Sequence, residues 1–337
     1  MSLATLPTQT DDIWKPACAA ALLLVLLAVL SSALPVSVCL GMVFLFAGPH
    51  NYVESRYFLT RLPARMGRLR GFFLVSAAGV VGLSVTLPLA FHVPAWLGGS
   101  PRGVLWSVIC WNIALILWCS WLVNKRSTQP PRKNWPFTWP CGLALIGLSL
   151  LQPFALPVLL VFAHPLVGLW ILDAEIHRSR PAWHVAWRRV LWLIPVLAVG
   201  LWVRPLSLLA VSESQFVSPQ LQHLMAEHVG GWYLTQLDLN RLVATHAFLE
   251  LVHYAVWLVA IPLASGRVFR SAFRQVPLMK RSRQMRRLIT LLLAVAGVVV
   301  VALWLAFAVD YTTTRSVYFA IATLHVLAEF PFLLRIL

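Results

Sequence analysis

The chain has 337 residues, of which 60% are hydrophobic and only 11% are charged. Soluble domains carry roughly 25% charged residues, so this composition excludes an ordinary soluble protein and predicts an integral membrane protein, which we expect in a bacterial inner membrane. The formal net charge of +16 does not indicate nucleic-acid binding, because the basic residues lie in short segments between apolar stretches, where membrane topology and anionic lipid headgroups account for them.

Apolar stretches follow one another along the chain, most of them close to the roughly 20 residues that a membrane-spanning helix needs. The sequence therefore predicts an all-α, polytopic helical bundle of about nine transmembrane helices, or about ten if Pro35 divides the first stretch in two. A polar N-terminal tail is expected over 1–16 and a single transmembrane domain over 17–337. The predicted spans are 17–48, 71–95, 104–123, 137–153, 156–174, 190–211, 242–264, 289–309 and 316–337.

Charge and proline positions give the predicted topology. The apolar stretch 137–174 is too long for one helix, and its prolines at 153 and 157 predict a break within 152–157. Basic segments between spans are expected on the cytoplasmic side, and two crossings between 135 and 176 keep their alternation intact. These segments are 51–70, 124–135, 176–189 and 266–288.

Histidines and glutamates recur inside the predicted spans, where ionisable side chains are costly and usually serve a function. Three histidines are followed four residues later by a glutamate, so that both side chains share one helical face. The set comprises His50 with Glu54, His246 with Glu250 and His253, His325 with Glu329, and His164.

Several of these histidines are expected at similar membrane depth. At about 1.5 Å per residue, His164 lies roughly 12 Å and His325 roughly 14 Å from the external surface, and the segment 246–253 spans roughly 6 to 17 Å. His50 reaches this level only if its helix continues past Pro49. The depths favour one shared site.

Imidazole and carboxylate groups gathered from several helices are typical of a metal site. Non-haem Fe(II) fits this ligand set best, while zinc, manganese and haem remain alternatives, and the number of ions is open. The glutamates are expected to act in catalysis, either as ligands or as partners that orient a histidine. We predict His50, His246, His253 and His325 as metal ligands, His164 as the next candidate, and Glu54, Glu250 and Glu329 as the carboxylates.

The remaining ionisable residues have simpler interpretations. Asp173 is expected at the cytoplasmic boundary, paired with Arg178 or Arg180. His92 is interpreted as a packing residue near a helix end. Solvated loop positions are predicted for His177, His184, His223 and His228.

The motifs also resemble those of the integral-membrane Brp/Blh-type β-carotene 15,15′-dioxygenases. Residues 49–54 look like that family's first Pro-His-x-x-x-Asp motif, and residues 324–329 look like its last, each with Glu in place of Asp. The segment 246–253 stands where the family has a paired-histidine helix, but its histidines are seven residues apart. No histidine lies in 100–120, where the family's second is expected. The resemblance implies a non-haem Fe(II) centre that activates O₂ against a carotenoid or another polyene.

The sequence therefore predicts a membrane-embedded, histidine-ligated non-haem iron oxygenase. Its expected partners are O₂, membrane lipids and a hydrophobic substrate, namely a polyene, an isoprenoid or a lipid. Two alternatives stay open. A proton-coupled transporter would use the same residue types as a proton relay, and a haem- or pigment-binding subunit would use facing axial histidines without catalysis.

Overall fold

A computed structural model of the chain describes residues 11–63, 67–96, 100–129, 134–203, 213–215, 217–266 and 276–336. Throughout these ranges the chain forms helices and their connections, and no strand occurs in them. The predicted all-α helical bundle is confirmed.

Thirteen α-helices lie in the described ranges. The first six are long and apolar, apart from the shorter α5. They are α1 (Asp11–Ala33), α2 (Pro35–Arg61), α3 (Arg70–Trp96), α4 (Pro101–Ser127), α5 (Thr138–Leu151) and α6 (Ala155–Ser179).

The second half of the chain alternates long and short helices. A π-helical turn, Val256–Ala260, joins α10 to α11. The helices are α7 (Pro181–Leu191), α8 (Leu193–Gly200), α9 (Pro219–His228), α10 (Leu239–Ala255), α11 (Ile261–Ser265), α12 (Arg283–Val309) and α13 (Tyr311–Ile336).

Nine helical segments of the described chain are long and apolar enough to cross a membrane. The first apolar stretch forms two helices, α1 and α2, which settles the choice left open by Pro35. The predicted break within 152–157 also occurs, because α5 ends at Leu151 and α6 begins at Ala155. However, α5 has only 14 residues, fewer than a full crossing needs.

One predicted span is displaced. The apolar helical segment expected over 190–211 begins earlier and covers Pro181–Gly200, while residues 204–212 lie outside the described part of the chain. The sequence prediction missed its first half because Arg188 and Arg189 interrupt the apolar run. In the structure these two arginines lie near the C-terminal end of α7.

The helix α12 gives the clearest structural indication of a lipid environment. From Leu288 onward nearly all of its side chains are apolar, yet most of them are exposed, including Val298 and Val309. Soluble monomers rarely expose contiguous apolar surface of this extent. The exposed apolar surface is compatible with a membrane protein.

The chain divides into two compact units. The first unit comprises Met1–Met42 and Gly168–Arg270, and the second comprises Val43–Val167 and Ser271–Leu337. The helices α2 and α6 contribute residues to both units. The predicted single transmembrane domain over 17–337 stays a prediction.

In the first unit, α1 packs against α7, α8 and α10. The Glu213 carboxylate accepts hydrogen bonds from the backbone N–H groups of Val36 (2.9 Å) and Ser37 (2.7 Å). These donors lie in the first turn of α2 and have no partner within the helix. Glu213 therefore caps α2 and ties it to the connection that precedes α9.

In the second unit, α3 packs against α4 and α13, and α4 also packs against α5. Side chains of α3, α4 and α13 form one apolar core, which includes Trp118. The buried members of this core are Phe72, Val80, Leu83, Trp111, Leu115, Trp118, Leu122, Leu327 and Leu334. This packing fixes the position of α13, which carries His325.

Gly79 provides the space that Trp118 occupies. A Cβ atom at Gly79 would lie 1.9 Å from Trp118 Nε1, the atom that donates a hydrogen bond to the Val75 carbonyl at 3.0 Å. We expect Gly79→Ala to lower the free energy of unfolding by about 1–3 kcal/mol, because the indole must move in a packed core. Denaturation of the purified protein in detergent, followed by circular dichroism, measures this.

Gly82 in the same helix is the matched control, since a Cβ atom there meets no other atom within 4 Å. We expect Gly82→Ala to leave stability unchanged or to raise it, because alanine is the better helix former. Equal stability of the two variants would contradict the packing described for Trp118.

Candidate metal centre

His50 and Glu54 lie in the interior of α2, which continues through Pro49 to Arg61. A proline inside a helix removes one backbone hydrogen bond, but here it does not end the helix. The helix of His50 therefore continues past Pro49, as the predicted depth of His50 requires. Both side chains are buried, and His50 is only 1% exposed.

Three histidines meet in the second unit. His50 Nε2 lies 3.5 Å from His325 Nε2. The rings of His164 and His325 are 5.9 Å apart between centroids, and those of His50 and His325 are 5.1 Å apart. The three side chains come from α2, α6 and α13, so the fold brings together residues that are distant in sequence.

The His50 ring is oriented by its own helix. Its Nδ1 lies 3.0 Å from the Phe46 carbonyl oxygen, and only a protonated nitrogen can donate to that acceptor. This assigns the proton to Nδ1 and leaves the lone pair of Nε2 directed toward His325. A backbone carbonyl that accepts from the other ring nitrogen is a usual partner of a metal-binding histidine.

Two carboxyl groups lie beside these histidines. Glu54 and Glu329 are 2% and 0% exposed, and the two groups are close enough to interact electrostatically. Glu54 Oε2 has no hydrogen-bond partner among the described residues. Burying a carboxylate without a partner is costly unless a cation compensates its charge.

These groups fit a metal ion. His50, Glu54 and His325 each offer one ligand atom, and these atoms lie within 4.8 Å of one another. Two nitrogen ligands at about 2.1 Å from one tetrahedral ion are about 3.4 Å apart, close to the observed separation of the two Nε2 atoms. The donor set of imidazole and carboxylate suits iron, zinc or manganese.

The other predicted histidines lie in the first unit, on α10. His246, Glu250 and His253 are all buried, and His253 is fully so. The ring of His246 lies 4.9 Å from that of His228 between centroids. The prediction that His246 and His253 ligate the same ion as the second-unit histidines stays a prediction.

A π-helical turn follows α10 directly, and π-helical turns inside helices often mark functional sites. It includes the fully buried Trp257, whose ring lies 6.4 Å from the His253 ring. Gly168 packs against both: a Cβ atom there would lie 3.2 Å from His253 Nδ1 and 3.3 Å from Trp257 Nε1. Gly168 could not be predicted from the sequence, because nothing in α6 alone indicates this close approach.

Gly168 therefore offers a test of His253. We expect Gly168→Ala to displace the His253 ring by a few tenths of an ångström and to lower metal affinity about tenfold, as loss of an orienting partner does. Gly147→Ala is the control, since a Cβ atom there meets nothing within 4 Å. Metal titrations of both variants measure the effect, and equal affinities would contradict a ligand role for His253.

One prediction about the charged boundary of α6 needs correction. Asp173 does not pair with Arg178 or Arg180; it contacts His184 (3.1 Å) and Arg188 (3.2 Å). Arg178 pairs instead with Glu175, a buried residue whose sequence position alone did not indicate this role. The reason is that α7 begins earlier than the predicted span, at Pro181, and places its own basic residues opposite Asp173.

The loop positions predicted for four histidines are also wrong in part. His184 lies within α7 and is mostly buried, His228 ends α9 beside His246, and His177 lies in the last turn of α6. His177 and His223 are exposed, as predicted, although both are helical. The side chain of His92 lies outside the described part of the chain.

No protein-family model matches the chain, and no curated protein or solved structure is significantly similar to it.

Proposed function

We propose that this protein is a membrane-embedded non-haem iron oxygenase that acts on a hydrophobic polyene, isoprenoid or lipid. The observation that supports it best is the group of three buried or half-buried histidines and two buried glutamates in the second unit. No single helix contains this group. Its side chains come from α2, α6 and α13.

His50, His164 and His325 would hold the ion, with Glu54 and Glu329 compensating its charge. From the sequence alone, His246, His253 and Glu250 are further candidates. Bound iron would supply redox chemistry with O₂ and Lewis acidity. The chain itself orients His50 Nε2 through the Phe46 carbonyl and keeps water away from Glu54 and Glu329, both of which are buried.

The resemblance to Brp/Blh-type dioxygenases supports a polyene as substrate and oxidative cleavage as reaction. In such a cleavage one C=C bond breaks and each carbon takes one oxygen atom of O₂, giving two carbonyl products. No additional reductant is required. This balance makes the reaction directly testable with isotopically labelled oxygen.

The first test is elemental analysis with an optical spectrum of protein purified in detergent. We expect about one iron per chain and no Soret band. The iron-loaded protein is then incubated with β-carotene under ¹⁸O₂, and both aldehyde products are expected to carry the label. A Soret band would indicate the haem-binding alternative. Protein without stoichiometric metal would contradict the proposal and favour a proton path through the same histidines.

A further inference from the structure

In the second unit, the helices α2 and α13 meet through side chains that recur once per helical turn. His50 lies opposite His325, with the two Nε2 atoms 3.5 Å apart. Four residues later in each helix come Glu54 and Glu329, whose carboxyl groups interact electrostatically. Because the residue numbers increase together from one pair to the next, the two helices run in the same direction along this contact.

A third pair follows the carboxyl groups. Phe58 lies four residues after Glu54, and Phe332 lies three residues after Glu329, so each ring shares a helical face with the carboxyl group before it. The two rings stack, with 3.9 Å between their centroids and 1° between their planes. At about 1.5 Å per residue, the stack lies roughly 6 Å beyond Glu54 along α2.

The stack lies between the carboxyl groups and the basic end of the two helices, which carries Arg61 in the last turn of α2 and Arg335 in the last turn of α13. Basic residues are typical of the positions where a membrane helix meets water. Phe58 is buried, as is the neighbouring Tyr57, and the Arg61 guanidinium lies 4.9 Å from the Tyr57 ring centroid. The end of α2 therefore changes from basic to apolar within about one turn.

Water at the carboxyl groups would weaken their attraction for a cation. Glu54 and Glu329 are buried, and the attraction between a carboxylate and a metal ion falls as the local dielectric constant rises. The apolar surroundings of a metal site control both the access of solvent and this dielectric constant. Two stacked phenyl rings offer water no hydrogen-bonding partner, and they stand on the side of the carboxyl groups that faces the basic end.

We propose that Phe58 and Phe332 are positioning residues that close the basic end of the iron centre against water. They act through Glu54 and Glu329, because the stack keeps water from the two carboxyl groups and joins the helices that carry them. That the closed space holds iron rests on the proposed function, whereas the closure itself can be measured without metal.

Carboxyl labelling of the full chain in detergent with EDTA tests the closure. The probe is a water-soluble carbodiimide with glycine ethyl ester, and peptide mass spectrometry measures the modified fraction at each glutamate. In the unmodified protein we expect Glu54 and Glu329 to stay unlabelled while the exposed Glu227 is labelled. Phe58→Ala and Phe332→Ala are each expected to raise the labelling of both buried glutamates several-fold, because each variant leaves a gap in the stack.

Two variants separate the closure from a general loosening of the fold. Phe58→Leu keeps an apolar side chain in place and should return labelling to the level of the unmodified protein. Phe307→Ala is the matched control, since buried Phe307 pairs edge-on with Phe44 of α2 at 6.3 Å between centroids, before His50 and away from the basic end. We expect this variant to leave Glu54 unlabelled.

Unchanged labelling of Glu54 and Glu329 in a folded Phe58→Ala variant, with circular dichroism as the measure of folding, would overturn the closure. Labelling of both glutamates in the unmodified protein to the extent seen at Glu227 would also overturn it, and this outcome decides even if the alanine variants do not fold.

The iron-loaded protein gives a second measurement. The rate at which the water-soluble chelator bathophenanthroline disulfonate removes Fe(II) should rise several-fold in Phe58→Ala and stay unchanged in Phe307→Ala. A protein that binds no iron, but whose carboxyl groups become labelled only when the stack is broken, would contradict the proposed function and support the closure.

Discussion

Replacing both His50 and His325 by alanine is expected to abolish iron binding while the helices stay folded. The two Nε2 atoms are 3.5 Å apart, so the double variant removes two of the proposed nitrogen ligands. Loss of an outer partner alone commonly costs 10–100-fold in metal affinity, and we expect the loss of two ligands to exceed about a hundredfold. Elemental analysis after purification, with circular dichroism for the fold, measures both.

His223→Ala is the matched control. His223 is well exposed and pairs with Glu227 on α9, so its loss removes an imidazole without touching the buried group. We expect this variant to keep its full iron content. A double variant that still carries one iron per chain would place the metal elsewhere, and the histidines of α10 would be the next to replace.

Much of the fold follows from hydropathy. The long apolar runs predicted the helices, and the prolines at 153 and 157 predicted the break before α6. What hydropathy does not reveal is a helix with one apolar and one basic face. That is why α7 was missed, and with it the true partners of Asp173.

The residues of the site could be predicted from the sequence, but the contacts between them could not. Four-residue spacing places His325 and Glu329 on one face of α13, and depth arguments place His164 near the same level. The approach of His50 to His325 depends on α2 continuing past Pro49, which a proline rule alone argues against. Packing holds α13 in place through Leu327 and its neighbours, and no local pattern encodes that.

Buried carboxyl pairs illustrate why stability and function oppose each other here. Glu54 and Glu329 interact in a buried environment, and burying two neighbouring carboxyl groups destabilises the metal-free protein. Proteins commonly retain such groups because function requires them, at a cost in stability. A bound cation would reverse the sign of their contribution.

The double variant Glu54→Met/Glu329→Met is therefore expected to have opposite effects with and without metal. In EDTA it should unfold at a higher temperature than the unmodified protein, since apolar replacements of a buried charged group are often stabilising by about 1–4 kcal/mol. With Fe(II) at a hundred times its dissociation constant, the unmodified protein should gain about 2.7 kcal/mol, and the variant should gain little. Thermal unfolding in detergent, with EDTA and with Fe(II), measures whether the order of stability of the two proteins reverses.

Glu227→Met is the control, because it replaces a carboxylate that is about half exposed. It should leave the unfolding temperature unchanged both in EDTA and with Fe(II). The reversal is the informative result, because a purely structural role for Glu54 and Glu329 predicts a loss of stability in EDTA as well. If the double variant were less stable without metal and still gained the full stabilisation from Fe(II), the carboxyl pair would be a packing feature. The ion would then be held by imidazoles alone.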